Sequence, residues 1–168
     1  MKLAVALQER ADINRKIEEL KNRLKCNVLI QEGESPEEEP NSLKCELDST
    51  IARLGVLIAK INLTNSQTVV DGKTLTELIA QKDALQLSIY VYKEIIDVAN
   101  QKTYRSRNTE IKIKTAISVV DWQKRIDALS KELRLLDIKI QETNWKIDLI
   151  EYSRWSSSQR GECRATTA

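Results

Sequence analysis

Between about Val119 and Tyr152, apolar side chains recur at alternating steps of four and three. The positions are Trp122, Ile126, Leu129, Leu133, Leu136, Ile140, Thr143, Ile147 and Ile150. A 3.5-residue repeat holds one stripe of a helix against a partner along its whole length. At 1.5 Å per residue this helix should run roughly 50 Å, and so needs partners of comparable length. Three further segments carry the same rhythm. About Lys2–Lys25 has Leu3, Leu7, Ile13, Ile17, Leu20 and Leu24. About Asn41–Leu63 has Leu43, Leu47, Ile51, Leu54, Ile58 and Ile61. About Thr74–Gln101 has Leu75, Leu78, Lys82, Leu85, Ile89, Tyr92, Ile96 and Ala99. With only 4 Gly and 2 Pro in 168 residues, little interrupts these helices. The expected fold is mainly α: an elongated four-helix antiparallel bundle or coiled coil, one domain over 1–151, with 152–168 a variable tail.

Helix starts are marked chemically. Thr74-Leu75-Thr76-Glu77 and Ser118-Val119-Val120-Asp121 each place a hydroxyl at a cap and an acid three residues on. Ser35-Pro36-Glu37-Glu38 has the same form, and Pro40 is expected to end it after one isolated turn. Asp71-Gly72 signals a turn in the 62–73 connection. Glu110–Thr115 alternates apolar with polar residues and reads as a strand, and Asn27–Gln31 is a short β-prone run. An up-down topology puts both at one end, where they are expected to pair as a small ladder.

The same end concentrates charge. Glu32, Glu34, Glu37, Glu38 and Glu39 put −5 on the first connection, whereas Lys102, Arg105, Arg107, Lys112 and Lys114 against Glu110 put +4 on the third. Facing each other, they would tune register and partner choice more than stability. We therefore take Gln31, Glu32, Glu34, Tyr104, Arg105, Arg107, Lys112 and Lys114 as the candidate interaction end. An alternative use is an adaptor for nucleic acid, with Tyr104 among the arginines of the 102–114 basic loop. The opposed acids weigh against it. So does a net charge of zero over 1–151, the +2 of the chain lying in Arg154, Arg160 and Arg164 against Glu162.

Two helices have a second apolar stripe: Leu87, Val91, Ile95 and Val98 on the third, and Leu135, Ile138, Trp145 and Leu149 on the fourth. Two stripes mean two neighbouring surfaces. One set of neighbours is a four-helix core within the chain. The other is a second copy, since full burial of each such residue is worth ~1.5–3 kcal/mol. A homo-oligomer is expected.

Chemistry is scarce. The chain has no His, which removes the commonest general base and metal ligand and every Ser-His or Cys-His pair. Its glycines are isolated, so no phosphate-cradling loop exists. Pairs such as Glu18-Glu19 read as solvated helix faces. The chain is expected not to be an enzyme and to need no cofactor or metal. Cys26, Cys45 and Cys163 include no CxxC pair and read as reduced thiols, although helices packed antiparallel would leave a Cys26–Cys45 bridge conceivable. The apolar run Leu3–Leu7 is too short for a secretory core, and no stretch approaches the ~20 residues of a spanning helix. The expected location is cytoplasmic.

Several stretches together resemble the septicolysin-like family of small bacterial helical proteins. They are Met1-Lys2-Leu3-Ala4 with Arg10-Ala11-Asp12, then Val28–Glu34, then Ile61-Asn62, Thr64-Asn65, Asp71–Thr76, Glu110-Ile111-Lys112, Gln141–Trp145 and Asp148–Glu151. The resemblance spans about residues 1–151. It implies no catalytic residues. Its name implies a secreted, membrane-damaging cytolysin, a reading opposed here by the lack of a signal peptide, a spanning segment or a basic amphipathic helix. The expected function is thus a non-enzymatic, self-associating helical binding or scaffolding protein, the alternatives being that cytolysin-like toxin and the nucleic-acid adaptor.

Overall fold

The computed structural model describes residues 1–100 and 115–151. In chain order it contains α1 (Leu3–Asn27), α2 (Pro40–Gln67), β1 (Val69–Val70), β2 (Lys73–Thr74), α3 (Leu75–Asn100) and α4 (Val119–Lys146). The fold is mainly α, as the periodicity predicts. Two compact units divide the chain: Met1–Thr68 with residues from Asn144 onward, and Val69–Thr143.

In the first unit α1 packs on α2. Ala6, Ile13, Leu20 and Asn27 are buried on α1, and Leu43, Thr50, Leu57 and Thr64 on α2. Each set recurs every seven residues, the repeat of a helix that keeps one seam inward. Ion pairs cross between α1 and the second limb at close to the same interval: Glu9 with Arg53, Lys16 with Glu46 at 2.7 Å and, just before α2 begins, Arg23 with Glu38. Rising numbers on one helix meet falling numbers on the other, so the pair is antiparallel. The buried threonines satisfy their hydroxyls locally. Thr50 donates to the Glu46 carbonyl at 2.7 Å and Thr64 to that of Lys60 at 2.8 Å.

The start of α2 differs from expectation. Residues 35–39 form no helical turn. Glu39 is the N-cap, its carboxylate accepting from the Ser42 N–H at 2.6 Å, and Pro40 opens the helix instead of ending one. Proline suits that first position because its missing N–H would have no intrahelical acceptor anyway. Cys26 carries a free, exposed thiol, so it makes no bridge to Cys45, which is itself disulfide-bonded and so departs from the expected reduced state.

The fourth helix also ends sooner than its sequence rhythm implies, at Lys146 rather than near Tyr152. The chain beyond it is extended and bound to the start of α1. The Leu3 N–H donates to the Ile147 carbonyl at 2.9 Å, the Leu149 N–H to that of Met1 at 2.7 Å, and Lys2 and Asp148 form an antiparallel bridge. The Ile150 N–H reaches the Thr64 hydroxyl at 3.0 Å. Extension buries Leu149, so this residue leaves the outer stripe to which helical spacing assigned it.

In the second unit β1 and β2 form a hairpin, pairing Val69 with Thr74 and Val70 with Lys73. Its two central residues, Asp71 and Gly72, have φ of 50° and 79°. Positive φ at both is what a tight two-residue hairpin needs. The ladder thus lies in the 62–73 connection. Residues 28–31 are not a strand, and the expected partner at 110–115 falls outside the described residues except for Thr115, which is in no strand. Thr74 and Glu77 make the capping box: Thr74 N–H to the Glu77 carboxylate at 2.6 Å, and Glu77 N–H to the Thr74 hydroxyl at 3.2 Å. At α4, the Asp121 N–H faces the Ser118 hydroxyl at 3.4 Å. Helices α3 and α4 meet through Ile89, Ile96, Ile126 and Leu129, flanked by Tyr92 and Trp122 edge to face at 5.3 Å. Lys82 pairs with Asp137, and Lys139 with Asp71.

Candidate functional site

The predicted interaction end is described in part. Gln31, Glu32 and Glu34 are exposed in the α1–α2 connection. A turn holds them, with the Glu34 N–H donating to the Gln31 carbonyl at 3.1 Å and Gly33 at φ 91°. Tyr104, Arg105, Arg107, Lys112 and Lys114 lie outside the described residues. The acids of this connection divide in two. Glu38 is tied to Arg23 by paired hydrogen bonds, and its N–H donates to the buried Asn27 side chain at 3.0 Å. Glu39 caps α2. Both carboxyls are held below the usual range, Glu38 by the Arg23 guanidinium and Glu39 by the Ser42 N–H. They secure the fold, which leaves Glu32, Glu34 and the apolar Val28-Leu29-Ile30 run, Leu29 87% exposed, facing water.

A second surface is larger. On α3, Leu87 (62% exposed), Tyr90 (58%), Val91, Ile95 and Val98 (69%) lie along one side. That side is opposite the buried stripe of Leu78, Ile89 and Ile96. On α4, Leu135 (57%), Ile138 (49%) and Trp145 (62%) are likewise exposed. The second apolar stripes therefore stay uncovered, Leu149 excepted. Spacing alone missed Tyr90. It precedes Val91 on the same face, and its hydroxyl donates to Glu94 at 2.6 Å, which pushes the phenol pKa up.

Tyr92, Asp121, Trp122 and Arg125 line an open pocket of about 280 Å³. Its aromatics belong to the α3–α4 core, and Asp121 and Arg125 are exposed. Among the described residues no buried side-chain polar atom lacks a partner. Nor is any cluster of Cys, Asp or Glu there arranged to hold a metal ion. No helix among them is long and apolar enough to cross a membrane. The described geometry offers surfaces for contact, and several of its acids and bases serve caps and ion pairs, as Glu39, Glu77 and the Arg23–Glu38 pair do.

No curated protein matches the chain. Among solved structures, a functionally unknown conserved protein from Corynebacterium diphtheriae matches at TM-score 0.83 and 33% identity, over 89% of this chain and 99% of that one. The family model that matches, over residues 10–149, is that of a family of unknown function, DUF6847. This match overturns the septicolysin-like resemblance. Among the described residues, the stretches that suggested it are helix segments, the α1–α2 connection, a hairpin turn with its capping box and the extended segment after α4, local features that helical proteins of different descent share. The chain belongs to the family of unknown function DUF6847.

Proposed function

We propose that the chain is a non-enzymatic, self-associating helical protein that acts by binding or scaffolding. The observation that carries this is the outer side of α3, where Leu87, Tyr90, Val91, Ile95 and Val98 are uncovered in one row. Single exposed apolar residues are ordinary, whereas a contiguous row marks an interaction surface. The thiols divide on location: the free, exposed Cys26 accords with a cytoplasmic setting, whereas the disulfide at Cys45 belongs more often to an oxidising one. Cell fractionation that found the protein elsewhere would overturn the cytoplasmic placement.

Light scattering across a concentration series tests the association. Purified protein should exceed the monomer mass, and Leu87→Glu with Val98→Glu should return it to monomer with an unchanged helical circular dichroism spectrum. A wild-type chain that stays monomeric throughout ends the proposal.

A further inference from the structure

We infer that the partner of the outer α3 face is the outer α4 face of a second copy, docked antiparallel. This contact presupposes the self-association proposed above and specifies which surfaces make it. At about 3.6 residues per turn, Ala84, Leu87, Val91 and Val98 form a seam along α3 directly opposite its buried stripe. The charged residues beside that seam are all acidic: Asp83, Glu94 and Asp97, each exposed. No base of α3 joins them. Lys82 is engaged by Asp137, and Lys93 lies round toward the buried side. A second α3 would bring acid to acid, which disfavours pairing of α3 with itself.

The complementary surface is on α4. Leu135 and Ile138 are exposed there, with the exposed bases Lys131 and Arg134 one turn or less toward the N-terminus. Antiparallel docking that sets Arg134 beside Glu94 also sets Lys131 beside Asp97. It lays Leu135 and Ile138 over the Tyr90–Lys93 turn, against Tyr90 and Val91. The acids of the α4 face are then harmless, Asp127 falling past the end of α3 and Glu142 beside the uncharged Gln86. A parallel register that pairs Lys131 with Asp83 instead brings Glu142 against Glu94. A parallel register that pairs Lys131 with Glu94 and Arg134 with Asp97 satisfies the charges but carries Ile138 and Trp145 past the end of α3 at Asn100, so apolar overlap selects the antiparallel orientation.

Each outer seam lies opposite its own helix's buried stripe, so the two look away from each other across the α3–α4 hairpin. One copy therefore offers α3 to a second and α4 to a third, a head-to-tail arrangement that forms a ring or a growing chain and not a two-fold dimer.

The test uses the full chain and two double variants, Lys131→Glu/Arg134→Glu and Glu94→Lys/Asp97→Lys, in sedimentation and light scattering. All four positions are exposed, and circular dichroism checks that the variants fold. Each variant alone should associate about tenfold more weakly or worse, and an equimolar mixture should recover association, because reversed α3 then meets reversed α4. Wild-type association by either variant alone, a mixture that recovers nothing, or a strict wild-type dimer overturns this contact while leaving self-association standing. A wild-type chain that is monomeric overturns both.

Discussion

The two helical hairpins share a seven-residue rhythm yet hold their register by different means. Between α1 and α2 the buried layers include Asn27, Thr50 and Thr64, and alignment comes from the rungs Glu9–Arg53, Lys16–Glu46 and Arg23–Glu38. Between α3 and α4 the seam is aliphatic and aromatic, with Lys82–Asp137 crossing it. Exposed ion pairs add little stability and much selectivity, whereas aliphatic packing does the reverse. The first hairpin is thus specified by charge order and the second by shape. The continuous apolar row on an outer helix face belongs to α3.

If packing dominates the second unit, truncating its core has the largest effect. Ile96→Ala or Ile126→Ala should lose about 2–5 kcal/mol, measured by urea unfolding. A loss near zero would show that α3 and α4 are held by something else. Next is the strap at 147–151. Thr64→Val removes the acceptor of the half-buried Ile150 N–H, at a cost of about 1 kcal/mol. Hydrogen exchange should quicken at Leu149 and Ile150 but not in α3, and Thr64→Ser should restore protection. Uniform quickening through both units would erase the distinction drawn here.

Smaller still is a rung of the ladder. Lys16→Glu should lower the melting temperature slightly, more at low salt than at high, and adding Glu46→Lys should recover it. Equal losses in the single and double variants would deny the ladder its role. The mildest effect is that of pH. With no His in the chain, melting should be level between about pH 5.5 and 7.5. The carboxyls of Glu38, Glu46, Asp148 and Glu151 are lowered chiefly by hydrogen bonds from Arg23, Lys16, Lys2 and Lys60. Each is more acidic folded than unfolded, so its contribution is complete above the ordinary carboxylate range. It is lost as pH falls through about 4 and below. A melting step near pH 6.5 would contradict this.

Much of the secondary structure was legible because its causes are local. Four apolar rhythms predicted four helices. Thr74 with Glu77 and Ser118 with Asp121 marked two starts within a residue, since a cap is chemistry over one turn. Pro40 misled because proline both opens helices and ends them, and Glu39 decides which by capping forward. The end of α4 was not legible. Ile147 and Ile150 keep the helical spacing, but their backbone bonds go to Met1, Leu3 and Thr64, distant in sequence. Period-two patterning places the ladder between two connections, yet the Asp71-Gly72 turn forms it within one. At the candidate site the outer stripes of α3 and α4 could be read from spacing. That Glu38 and Glu39 serve the fold could not, because the Arg23 and Asn27 partners lie on another helix.

The α1–α2 ladder has one further step, and it is a misfit. Continuing its register sets Lys2 opposite Lys60, cation to cation. The strap resolves this by bringing Asp148 to the first at 2.9 Å and Glu151 to the second. Its backbone pairing with residues 1–3 makes the path through the first unit a closed circuit. A peptide joining the two ends of the chain, with residues 152–168 retained and new ends cut in the exposed stretch after Val28, should yield a circular permutant that folds as the parent does.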